Sequence, residues 1–114
     1  MSVIGTFIID FQTTEFERDG KIAGEFLASL QGECRLQNAY AIDEPLERAG
    51  WAFAKMFLAG EFVECIYEKQ RQHVDSTKGK KFEDKFIGWI ALRLKERGCG
   101  ATVKMAPEMK KSSF

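Results

Sequence analysis

The stretch Asp19-Gly20-Lys21-Ile22-Ala23-Gly24-Glu25-Phe26-Leu27-Ala28-Ser29-Leu30-Gln31-Gly32-Glu33-Cys34-Arg35-Leu36 decides how the first third of this chain is read. Ile22, Gly24, Phe26, Ala28, Leu30, Gly32, Cys34 and Leu36 occupy every second position, with mostly polar residues between them. A period of two is the pattern of a half-buried β-strand. Asp19-Gly20 adds a hairpin signal, because both residues tolerate the positive φ of a type I′ turn. A helix over residues 20–31 competes, since Ile22, Phe26, Leu27 and Leu30 also share one helical face. Gly20, Gly24 and Gly32 weaken that helix by up to ~1 kcal/mol for each one in its interior. The expectation is strands, broken near Gly32.

Upstream, Phe7, Ile9 and Phe11 alternate within Val3 to Gln12, a segment rich in β-branched and aromatic residues and so a strand. Downstream, Asp43-Glu44-Pro45 reads as a helix start, with Asp43 as N-cap and Pro45 where a missing N–H is harmless. Leu46, Ala49, Phe53, Met56, Gly60, Val63 and Tyr67 then recur at steps of three and four, which predicts helix over 46–72. Trp51, Leu58, Phe62, Cys65 and Ile66 form a second apolar stripe, as on a helix covered from two sides.

Residues 73–81 are polar and read as a solvated loop. A second helix is expected from Phe82 to Arg97, with Phe82, Phe86, Trp89, Ile90 and Leu94 on one face and Gly98 as its stop. Residues 101–105 suit a short last strand, and the lysine-rich segment 107–114 a loose tail. These elements predict an α+β fold: a small antiparallel sheet of N-terminal strands, with a returning C-terminal strand, packed on one long and one shorter helix. Residues 1–106 make one domain.

The 114 residues are 45% hydrophobic and 12% aromatic, enough for a core without help from metals or disulfides. No window approaches the ~20 apolar residues of a membrane span. Met1-Ser2-Val3-Ile4-Gly5 lacks a basic, then apolar, leader pattern. Cys34, Cys65 and Cys99 are far apart and odd in number, so reduced thiols in a cytoplasmic setting are expected.

Net charge is zero, yet it is unevenly spread. Residues 1–68 carry five basic and twelve acidic side chains, a net of −7, and residues 69–114 carry twelve basic and five acidic, a net of +7. The basic excess centres on Lys78, Lys80, Lys81 and Lys85, with Arg93 further along the second helix. Lysines at a helix start oppose the helix dipole, so local propensity does not account for them. They form a candidate surface for nucleic acid or an acidic partner, although Glu83 and Asp84 lie among them.

Catalytic chemistry finds little support. His73 is the one histidine and has no partner nucleophile in sequence, and a tetrahedral zinc site is hard to build from it. Cys99, between Gly98 and Gly100, fits a tight turn better than a reactive thiol, and Cys65 sits in an apolar stripe. Asp43, Glu44 and Glu47 are absorbed by helix capping. Thr77-Lys78-Gly79-Lys80 lacks the spacing and preceding strand of a phosphate loop. No catalytic residue, metal or cofactor is expected. The reading is a non-enzymatic binding protein of inhibitor, adaptor or immunity type that acts on another protein, with nucleic-acid binding through 78–97 as the alternative. Its aromatic residues and divided charge are also compatible with a homodimer.

Overall fold

In the first strand, alternate side chains enter the core and the rest face away. The computed structural model describes residues 5–110. Strand β1 (Thr6–Thr13) buries Phe7, Ile9, Phe11 and Thr13, and leaves Ile8, Asp10 and Gln12 on its other side.

The decisive stretch is a helix. Helix α1 (Phe16–Glu33) buries Asp19, Ala23, Phe26, Leu27 and Leu30, at helical steps, and overturns the expected strands. The period-two match leaned on Gly24, Ala28 and Gly32, which have little or no side chain to bury, and Ala28 and Gly32 are exposed. Burial of Phe26, Leu27 and Leu30 outweighs the helix penalty of the glycines, since each large apolar side chain contributes about 1.5–3 kcal/mol. Asp19-Gly20 makes no hairpin, because Asp19 lies inside the first turns of the helix. The helix ends in paired bonds from Arg35 N–H to the Gly32 carbonyl and from Leu36 N–H to the Gln31 carbonyl. Arg35 takes the left-handed conformation there, with φ of 55°.

The long helix expected from 46 to 72 is also corrected. Strands β2 (Tyr40–Ile42), β3 (Leu46–Arg48) and β4 (Trp51–Ala59) precede helix α2 (Gly60–Asp75). Ala49 and Gly50 both have positive φ, 51° and 81°, as a two-residue type I′ hairpin between β3 and β4 requires. The two apolar stripes of 46–59 are the two faces of a strand. Ala52, Ala54, Met56 and Leu58 point into the core, and Trp51, Phe53, Lys55 and Phe57 point away. Asp43 caps no helix; its Oδ1 accepts the Lys55 N–H at 2.7 Å and hooks the β2–β3 connection onto β4.

Helix α3 (Phe82–Glu96) and strand β5 (Thr102–Met105) lie where expected. The sheet is antiparallel in order β2-β4-β1-β5, and β3 pairs with β4 beyond β2. Helices α1, α2 and α3 bury their apolar sides in one core with Phe7, Ile9, Phe11, Met56 and Leu58. The fold is α+β. Pro107–Lys110 form a short helix, α4, with Met109 buried; of the expected tail, residues 111–114 lie outside the described residues.

The expectation of reduced thiols fails for two cysteines. The last turn of α1 and the second turn of α2 converge, and Cys34 and Cys65 form a disulfide with their Cα atoms 6.1 Å apart. Cys65 is thus half-buried and bonded rather than part of the apolar core. Cys99 is free and buried. Disulfides persist in oxidising surroundings, so the ground for a cytoplasmic setting is removed. No helix among the described residues is long and apolar enough to cross a membrane.

Candidate interaction surface

The side of the sheet opposite the three long helices is largely uncovered. In an antiparallel ladder, residues directly opposite share a face, so the register assigns its surface row by row. Leu46, Phe53, Gln12 and Thr102 make one row across β3, β4, β1 and β5. Trp51 and Arg48 stand beside it at the hairpin end. Leu46 is 60% exposed, Trp51 44% and Phe53 37%, so three large apolar side chains meet water together.

The next row is charged. Asp43, Lys55, Asp10 and Lys104 follow one another across the sheet, alternating in sign. Lys55 Nζ lies 2.7 Å from Asp10 Oδ1 and 3.4 Å from Glu108 Oε1. The hydrogen bond to Asp10 holds the Lys55 ammonium above its ordinary range, against the opposite pull of burial. The pair is half-exposed, which limits its contribution to about 0.5–1 kcal/mol. Beyond this row, α4 lies against β1; Ala106 donates its N–H to the Ile8 carbonyl and Glu108 reaches Lys55.

The bow of the chain at Asp43-Glu44-Pro45 opens a groove of about 280 Å³ within this face, lined by Asp10, Gln12, Asp43, Glu44, Leu46 and Phe53, among others. Its walls therefore combine an apolar shelf with three carboxylates and the Lys55 ammonium.

The lysines singled out from the sequence lie elsewhere. Lys78, Lys80 and Lys81 are exposed in the α2–α3 loop, Lys85 follows in the first turn of α3, and none pairs with a carboxylate among the described residues. Two glycines press this loop onto α3. A Cβ at Gly79, whose φ is 144°, would sit 2.7 Å from the Asp84 Cβ, and one at Gly88 equally close to the Thr77 methyl. The loop and the first turn of α3 carry four lysines within eight residues of sequence. Arg93 lies apart from them, in the last turn of α3, and pairs with Glu96 at 3.0 Å.

The nucleophile and base candidates are engaged otherwise. The exposed His73 ring bonds Gln70 at 2.9 Å. Burial pushes the Cys99 thiol up, away from the thiolate that a nucleophile needs.

A residue that sequence reasoning missed is Asp19, fully buried at the junction of β1, α1 and the turn into β5. It accepts hydrogen bonds from the Thr13 hydroxyl, the Gly100 N–H at 3.0 Å and Arg18 Nε at 3.1 Å. Burial pushes its carboxyl up, but these bonds outweigh it and hold the group below the usual carboxylate range. With every partner a structural group of its own chain, Asp19 works as a clamp on the fold. Among the described residues, no group of three or more His, Cys, Asp or Glu could hold a metal ion.

Comparison of the chain with protein-family models, curated proteins and solved structures yields no match.

Proposed function

We propose that this protein is a non-catalytic module that acts by protein–protein contact and that its working surface is the uncovered sheet face. One observation carries the reading: Leu46, Trp51 and Phe53 are exposed side by side on the β3–β4 hairpin. Large apolar and aromatic groups that share one rigid surface are what binding partners bury as anchors, and Trp is the residue most enriched among such anchors. The charged row beside them supplies the polar rim that orients a partner. The Cys34–Cys65 bond supports an oxidising working environment over the cytoplasmic one.

A second reading, nucleic-acid binding, is favoured by the four lysines of the α2–α3 loop and first turn of α3, which have no carboxylate partner among the described residues. Phosphate backbones attract such a cluster through counterion release. It ranks second because Glu83 and Asp84 share the first turn of α3 with Lys85.

Affinity capture from the source cell separates the two, using the wild-type chain, Trp51→Ser with Phe53→Ser, and Lys78→Glu with Lys80→Glu. The expected result is a protein retained by the wild type and the lysine variant, lost with the face variant, and indifferent to nuclease. Retention that survives the face variant but is abolished by nuclease or by the lysine variant refutes the proposal and establishes the alternative.

A further inference from the structure

Resting on the reading of the sheet face as a binding surface, we infer that its partner is a second copy of this chain, stacked face to face about a twofold axis along the strands. The charged row carries the argument. In the order β2 edge, β4, β1, β5 it reads Asp43, Lys55, Asp10, Lys104, so the signs run minus, plus, minus, plus. A twofold axis parallel to the strands, between β4 and β1, reverses that order. Asp43 then faces Lys104 of the second copy, and Lys55 faces its Asp10. Each of the four charges in this row meets its opposite.

The other in-plane twofold, across the strands, lays each charge over its own copy and sets like against like. An isologous interface requires a patch that carries its own complement, and this row does so for one axis only. The same operation places Leu46 over Thr102 of the second copy and Phe53 over its Gln12, which shields the exposed apolar shelf from water. Lys104 of the second copy enters the groove beside Asp43 and Glu44.

The size of the face fits a weak, transient dimer. Strands of eight, nine, four, three and three residues, at about 3.3 Å per residue and about 4.8 Å between strands, present roughly 430 Å² per copy. Doubled, that is about 860 Å², the size of a weak encounter rather than a permanent interface. Glu108 adds a further carboxylate at the edge of the charged row, beside Lys55, and leaves the Trp51 end open.

Sedimentation velocity tests this from about 1 to 300 μM, a range that spans weak self-association with a Kd of about 10 to 100 μM. The wild type is expected to pass from monomer to dimer, and Phe53→Asp to remain monomeric while keeping its folded circular dichroism. Asp43→Lys and Lys104→Glu should each weaken the dimer tenfold or more, because each sets two like-charged pairs across the axis. An equimolar mixture of these two variants should recover a dimer of wild-type affinity, which a merely damaged loop would not do. A wild-type monomer across the range, a dimer indifferent to Phe53→Asp, or a mixture that fails to recover would overturn the inference. If the chain stays monomeric yet retains a foreign protein through Trp51 and Phe53, the self-pairing fails and the binding-module reading stands.

Discussion

Reduction of the Cys34–Cys65 bond is expected to lower stability by an amount calculable from chain connectivity. The bond closes a loop with a sequence separation of 31. In the chain-entropy treatment, a loop of about 31 residues restricts the unfolded chain by about 12 cal/mol/K, or about 3.7 kcal/mol at 25 °C. The unfolding entropy of a domain this size is about 240 cal/mol/K, at about 2.1 cal/mol/K per residue. Dividing one by the other gives a fall in Tm of about 15 °C. The assay is thermal unfolding of the wild type with and without reductant, beside Cys34→Ser with Cys65→Ser. Both routes should give the same lowered Tm. Titration of the denatured, unreduced chain should find one free thiol, that of Cys99. Three titratable thiols, or a Tm unmoved by reductant, would show that the bond is absent or does not hold the fold.

Two further outcomes follow from single residues. Asp19→Ala takes the buried acceptor from the Thr13 hydroxyl proton, whose oxygen still accepts the Glu15 N–H, and unties the Gly100 N–H; it should destabilise by about 2 kcal/mol in denaturant unfolding. Because the folded Asp19 carboxyl lies below its unfolded value of about 4, its contribution is present above that pH and is lost as pH falls through the folded value. The acid-induced loss of stability below about pH 4 should therefore be shallower in Asp19→Asn. Ala49→Asn converts Ala49-Gly50 to Asn-Gly, which suits the positive φ of the turn, and should raise stability by about 0.5–1 kcal/mol in the same assay.

The legible parts of the fold are those in which one period dominates. In β1 the alternation of Phe7, Ile9 and Phe11 has no helical rival, and in α3 the set Phe82, Phe86, Trp89, Ile90 and Leu94 has no strand rival. Residues 20–36 satisfy both periods, and glycine and alanine counted as apolar tilted the reading toward strands, although they contribute little burial. Residues 46–59 mislead in the opposite sense. Alanines at 52 and 54 face the core while Trp51 and Phe53 face water, so large side chains are outside and small ones inside. That inverted alternation was the available signal for the interaction face; Trp51 is visible in sequence as a surplus aromatic, but its neighbours on the face are set by register with β1, β3 and β5. The Asp19 clamp was not legible, because Gly100 and Thr13 reach it only through tertiary folding.

Hydroxyl-radical footprinting read by mass spectrometry asks whether the sheet face is where this protein binds, since it reports side-chain exposure without mutation. Leu46, Trp51 and Phe53 probe the sheet face, and Leu92, 51% exposed on α3 of the helical layer, serves as the internal control. On passing from the dilute free chain to its assembled state, oxidation of the three face residues should fall while that of Leu92 holds. Unchanged oxidation of Trp51 and Phe53, with protection appearing at Leu92 or around the α2–α3 loop, would place the binding surface on the helical layer instead.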